Sequence, residues 1–287
     1  MRDYWLTQSL LQAVGWGYVL AVVIALLLAG WAPRRGKAKV VAVFGVLLLA
    51  SILPVKGYQQ YLAEQQIKQE RKERYQKAQA LFQERCRAAG ETIYETADGV
   101  KNILLLNVRG DTADKDYFDA NWKDAALPQQ FGGQEYILSF LRSWRTAKFQ
   151  GDGKNGDEKS QNLEYSYQGY DFIDVNGVDG SFHRYGLMDG RLVKKIVGGN
   201  AAQYSVSHEN IEDPAGREYW IAGTTVTVTD MKKNRVIAKK TWYSFEQGQG
   251  SRSGDRMPWL FAVSCPEQRG QDSRYPTQIF VRKVLKD

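Results

Sequence analysis

AVGWGYVLAVVIALLLAGWA, Ala13 to Ala32, and VVAVFGVLLLASILPV, Val40 to Val55, decide the architecture of this chain. The first run carries no charge and is about 20 residues long, the length that crosses ~30 Å of hydrocarbon. The second is shorter and spans if Lys39 and Lys56 snorkel to the two interfaces. Residues 1–55 therefore read as a transmembrane hairpin. Between the runs lies PRRGKAK, whose cations Arg34, Arg35, Lys37 and Lys39 are accompanied by no acid. The positive-inside bias puts this loop in the cytoplasm, against anionic lipid headgroups, and both termini on the opposite side. Everything after Lys56 is then exported, which places the chain in a bacterial inner membrane with its soluble part in the periplasm.

Two other readings of the N-terminus compete. A cleaved signal peptide needs a cationic start and a small-residue cleavage site, whereas the chain starts MRDYWLTQSL and a second span follows. Inverted topology would hold Lys68, Arg71, Lys72 and Arg74 inside. Those cations alternate with Glu64, Glu70 and Glu73, so the acid-free loop dominates.

A net charge of +7 suggests a nucleic-acid binder until it is divided along the chain. Residues 86–287 hold 27 Lys/Arg against 27 Asp/Glu, so the whole surplus lies in residues 1–85. A neutral soluble domain lacks the electrostatic footprint that phosphate backbones require, and nucleic acid is excluded as a partner.

Residues 56–88 lack proline and are rich in strong helix formers, which predicts a helix from near Tyr58 to Ala88, ended by Gly90. Its apolar positions Tyr61, Leu62, Ile67, Tyr75, Ala78 and Phe82 keep no heptad register, so it reads as a solvated stalk rather than a coiled coil. At ~1.5 Å per residue such a stalk lifts the following domain roughly 40 Å from the bilayer.

Residues 89–287 have the texture of a mostly antiparallel α+β domain. Strand patterns run through residues 91–108, 162–175, 182–188 and 191–197. The clearest is the hairpin in which Thr225 to Val228 approach a turn at Asp230 to Arg235 and Val236 to Phe245 return. One helix, residues 132–149, is expected from Tyr136, Ile137, Phe140, Leu141 and Trp144 at three- and four-residue spacing. The two cysteines, Cys86 and Cys265, form an even set at the two ends of the domain, and in an oxidising compartment they predict a disulfide.

Catalytic signatures are missing. His183 and His208 have no partners at metal-ligand spacing and read as structural residues. The Gly151 to Ser160 loop lacks the spacing of a phosphate loop. Asp174, Asn176 and Asp179 resemble part of a calcium loop, but no glutamate follows at the twelfth position, and an Asp/Gly turn is the plainer reading. Neither a metal nor a cofactor is expected, and the chain does not read as an enzyme. Aromatic residues are plentiful. Trp122, Trp144, Trp220, Trp242 and Trp259 suit a core. Tyr165 and Tyr167, on one face of a strand, and neighbouring Tyr170 are the candidates for contacting a protein partner.

CRAAGETIYETADGVKNILLLN (Cys86 to Asn107), the VTVTD…NRVIAKKT hairpin (Val226 to Thr241) and AVSCP ending at Pro266 resemble the small envelope proteins encoded beside type VI secretion toxins. These stretches cover about a quarter of the chain. The resemblance implies an immunity role, in which the exported domain binds and blocks a secreted toxin. A structural or sensory component of the envelope is the competing reading.

Overall fold

The structure is a computed structural model that describes residues 2–31, 36–148, 163–177, 179–268 and 273–286. The chain divides into two compact units, Met1–Glu73 and Arg74–Asp287.

In the first unit, α1 (Arg2–Trp31) and α2 (Gly36–Arg87) carry the two apolar runs. Both are long and apolar enough to cross a membrane, with mean hydropathies of 2.1 and 2.2 over their most apolar stretches. The Tyr18 hydroxyl on α1 donates to the Ala50 carbonyl on α2, which satisfies a polar group between two otherwise apolar helices. Lys37 and Lys39 lie in the first turns of α2, whereas Arg34 and Arg35 fall outside the described residues.

The second unit is α+β and is organised on one mixed sheet. Its strands are β1 (Gly90–Ile93), β2 (Asn102–Leu105), β5 (Phe172–Asn176), β6 (Phe182–Met188), β7 (Arg191–Val197), β8 (Tyr204–Ile211), β9 (Ile221–Asp230), β10 (Arg235–Phe245) and β11 (Val263–Cys265). The order is β1-β10-β9-β8-β2-β5-β6-β7, with β11 beside β10. A separate pair joins β3 (Trp144–Lys148) to β4 (Leu163–Tyr167). Most neighbours are antiparallel, but β2 runs parallel to both β5 and β8. Its Ile103, Leu104 and Leu105 are all buried, as expected for a central strand covered on both faces.

The predicted β9–β10 hairpin forms, with Thr225 opposite Thr241 and the turn closed by Asp230, whose carboxylate accepts from the Lys233 amide. Val226 and Val228 enter the core while Thr225, Thr227 and Thr229 stand half-buried on the other face. Covering the valine face are α3 (Gly133–Leu141) and α5 (Pro276–Val284), which bury Tyr136, Phe140, Phe280 and Val281 against Trp242, Val206 and Val226. Phe280 meets Trp242 edge-on at 6.2 Å. On the opposite face the last turns of α2 bury Ala78 and stack Tyr75 and Phe82 on Phe245, at 6.0 and 5.4 Å. In this segment the helix is part of the domain rather than a solvated stalk.

Two expectations need correction. The helix predicted over residues 132–149 ends at Leu141, and Trp144 begins a strand. The cause is tertiary: Gly169 crosses so close to the end of α3 that a Cβ there would sit 1.7 Å from the Leu141 carbonyl oxygen, and the Tyr170 amide takes the Phe140 carbonyl at 3.0 Å. The single covering helix is joined by a second, α5, whose signal was Pro276 at its first turn followed by Phe280, Val281 and Val284.

Candidate functional site

Asp213, Pro214 and Gly216 start a short helix, α4 (Pro214–Glu218), in the expected way. Asp213 caps it by accepting from the Gly216 amide at 3.0 Å, and proline occupies the first turn. The other Asp213 oxygen receives Arg85 Nε at 2.8 Å. Burial pushes the Asp213 carboxyl up, but Arg85 and the capping amide outweigh it and hold the group below its ordinary range.

From α4, Arg217 reaches back to the segment after β2, donating to the carbonyls of Trp122 at 2.8 Å and Lys123 at 3.2 Å. An open groove of about 730 Å³ lies between these pieces, lined by Asn121, Lys123, Asn210, Glu212, Arg217 and Trp220 among others. Trp220 forms its aromatic wall in the left-handed backbone region, φ 59°, a conformation that costs a bulky residue on the order of 1–3 kcal/mol. Its surroundings enforce it. The indole stacks on Trp259 at 5.4 Å, a Cβ on Gly250 would lie 2.3 Å from the ring, and the Glu246 amide donates to the Trp220 carbonyl at 2.9 Å. Trp259 is fixed in turn by its Nε1 bond to the Asp119 carbonyl at 2.8 Å. The wall is therefore pre-organised, which lowers the entropy lost when something binds against it.

Beneath the groove, at the carboxyl ends of β2 and β8, lies a buried polar cluster. Asn210 Nδ2 donates to Asp124 at 2.9 Å, and Asp124 faces Arg109 Nε at 3.8 Å. Arg109 also donates to the Gln130 and Asp124 carbonyls and lies 5.7 Å above the Trp122 ring. His208 Nε2 is 3.3 Å from the Thr224 hydroxyl, and its ring meets Tyr136 edge-on at 6.4 Å. Burial drives the Tyr136 hydroxyl above its ordinary pKa and lowers that of Arg109.

Burial, helped by Arg109 and opposed by Asp124, pushes the His208 pKa down to about 4. The unfolded chain, with an ordinary imidazole, then binds more protons between about pH 6.5 and 4. Stability contributed by neutral His208 is complete above pH 6.5 and is lost as pH falls toward 4, a change on the order of 3 kcal/mol. Melting curves between pH 7.5 and 4.5 should show this loss, and His208→Gln should flatten it. Equal pH dependence in both proteins would show that other groups control acid stability.

The residues singled out from sequence are scattered. Cys86, in the last turn of α2, and Cys265, ending β11, form a disulfide with Cα atoms 5.6 Å apart. Tyr165 and Tyr167 lie on β4, paired with Thr146 and Trp144. Tyr170 is 4 % exposed and donates to the Leu285 carbonyl at 2.9 Å, so its ring belongs to the core and is not presented to a partner. The Gly151 to Ser160 loop lies outside the described residues. Asp174 is fully buried and gripped by Arg184 at 2.8 and 2.9 Å, with the Ala201 amide as a third donor, which leaves little of its carboxylate for calcium. Asp179 is bound by Ser181. Among the described residues no three His, Cys, Asp or Glu groups converge as a metal site. His183, on β6, brings its Nε2 to 3.3 Å from the Ser181 hydroxyl.

Sequence reasoning missed the groove. Its local clue was Asp213-Pro214, a cap followed by a first-turn proline, which marks a helix but not the segment that comes to lie opposite it. No protein-family model, curated protein or solved structure matches the chain.

Proposed function

We propose that this chain is a membrane-anchored binding protein whose α+β domain works in the periplasm and blocks a protein partner, a secreted toxin, by stoichiometric association. The observation that carries binding over catalysis is how the chemically able side chains are used. His208, Arg109, Asp174 and Glu246 are buried and spent on internal contacts, while the open groove lined by Asn210, Arg217 and Trp220 has a rigid tryptophan wall. The anchor reading is supported by two helices of membrane-crossing length, with Lys37 and Lys39, next to Arg34 and Arg35 in sequence, meeting anionic headgroups. Export is supported by the Cys86–Cys265 bond, which persists in oxidising compartments. The blocking role rests on the resemblance of the 86–107, 226–241 and 262–266 stretches to type VI immunity proteins. An anchored blocker also gains effective concentration where its target arrives.

Two experiments test this reading. Alkaline phosphatase fused after Lys56 should be active, and activity there only of a cytoplasmic reporter overturns the topology. Co-production with the exported product of the adjacent gene, directed to the periplasm, should rescue growth. Killing that is unchanged by this chain removes the blocking role and favours a scaffold of the envelope.

A further inference from the structure

The sheet ends on one side in β1, four residues long, and on the other in β7, seven residues long. Asp189 and Gly190 have φ of 51° and 74°, so β6 and β7 are joined by a two-residue turn of the primed type that matches strand twist. In such a hairpin the flanking pair, Met188 and Arg191, carries hydrogen bonds and alternate pairs do so along the ladder. Arg191, Val193, Lys195 and Val197 thus turn their backbone groups toward β6. Leu192, Lys194 and Ile196 turn theirs outward, and no described strand receives them. Side chains along this edge are open: Ile196 is 71 % exposed, Met188 64 % and Val193 41 %.

Charge decides what fits. Arg184 is committed to Asp174, but Arg191, Lys194 and Lys195 form no ion pair among the described residues. The sole acid from Phe182 to Val197 is Asp189, in the turn. A second copy pairing antiparallel with β7 would bring these cations against their own equivalents, an arrangement that destabilises strand pairs. The same cations match carboxylates. We propose that β7 is a docking strand for an extended acidic segment of the protein partner, which joins the sheet as a further strand. The segment places carboxylates opposite Arg191, Lys194 and Lys195 and apolar residues opposite Leu192, Val193, Ile196 and Val197. This rests on the binding role proposed above and names the surface and the partner's chemistry.

The test uses the full chain in detergent micelles and the fluorescent heptapeptide Val-Ile-Glu-Asp-Val-Leu-Glu, written to pair antiparallel with β7. Its controls are a version with lysine at each acid and vesicles rich in anionic lipid. The acidic peptide should bind at least tenfold more tightly than the basic one. It should also slow amide exchange at Leu192, Lys194 and Ile196 by tenfold or more, leaving Val193 and Lys195, already bonded to β6, little changed. Lys194→Glu with Lys195→Glu should reverse the preference. Ile196→Pro, which removes one outward N–H at an exposed edge position, should weaken binding with little change in melting temperature. Equal binding of both peptides, unchanged preference after charge reversal, exchange protection elsewhere, or binding of vesicles in place of the peptide overturns the proposal. If the doubly reversed variant still protects cells in the co-production assay, the docking strand is refuted while the blocking role stands.

Discussion

Replacing Cys86 and Cys265 together by serine is expected to lower the melting temperature of the detergent-solubilised chain by roughly 8–20 °C. The bond joins residues 179 apart in sequence. On the chain-entropy account, opening a loop of that size restores ~4–5 kcal/mol of freedom to the unfolded state. Each kcal/mol corresponds to about 2–4 °C for a domain of this size. The folded state loses more than the bond, because the bond ties the end of α2 to β11 on β10. The packing of Tyr75, Ala78 and Phe82 on Phe245 and the 2.8 Å pair of Arg85 with Asp213 both belong to that junction. Reductant should lower the melting temperature of the parent by a similar amount and leave the double variant unaffected. A shift below about 2 °C would mean that the unfolded chain is already restricted or the bond strained. Mass spectrometry of protein taken from cells under non-reducing conditions should find the pair oxidised, and two free thiols would count against both the bond and export.

Arg282→Met should destabilise the domain by ~3 kcal/mol or more, the largest effect expected of a single change. The four last carbonyls of a helix have no partner within it, and its C-terminus carries partial negative charge. At the end of α3 Ser139 and Phe140 are buried, and Arg282 on α5 serves their carbonyls: its guanidinium donates to Phe140 at 2.9 Å and Ser139 at 3.3 Å, and also to the part-buried carbonyls of Arg142 at 3.0 Å and Gln168, while lying 5.6 Å above the Tyr170 ring. Methionine keeps the apolar stem and withdraws all of these donors, which leaves the buried Ser139 carbonyl without the guanidinium and the buried Phe140 carbonyl with the Tyr170 amide alone. Arg282→Lys should recover only part of the loss, because one ammonium cannot reproduce the planar fork. Urea midpoints measure both variants. A methionine variant within about 1 kcal/mol of the parent would show that water can replace the guanidinium.

These two predictions mark the boundary between what could be read along the chain and what could not. The β6 and β7 strands, the β9–β10 hairpin and the two apolar helices were legible because each is specified by neighbours in sequence: strand-rich patterning, turn residues such as those from Asp230 to Arg235, or an uncharged run of hydrocarbon length. The pairing of Cys86 with Cys265 was also legible, because two cysteines leave one intramolecular arrangement. Other features depended on partners far away in the chain. Helical spacing continued to Trp144, yet α3 stopped at Leu141 because Gly169 crosses close to its end and the Tyr170 amide and Arg282 took its terminal carbonyls. Tyr165, Tyr167 and Tyr170 look alike in sequence, but the Leu285 carbonyl and the Phe140 ring drew Tyr170 into the core. Polar β8 became a strand only by pairing with β9 and β2, and His208 on it acquired its depressed pKa from burial in the assembled fold, helped by Arg109, 99 positions earlier. The groove unites Asn121 and Lys123 with Asn210 to Trp220, segments that meet only once the sheet has formed. Hydrophobic periodicity and turn chemistry act over a few residues, whereas burial, carbonyl capping and desolvation are set by whatever the fold brings alongside.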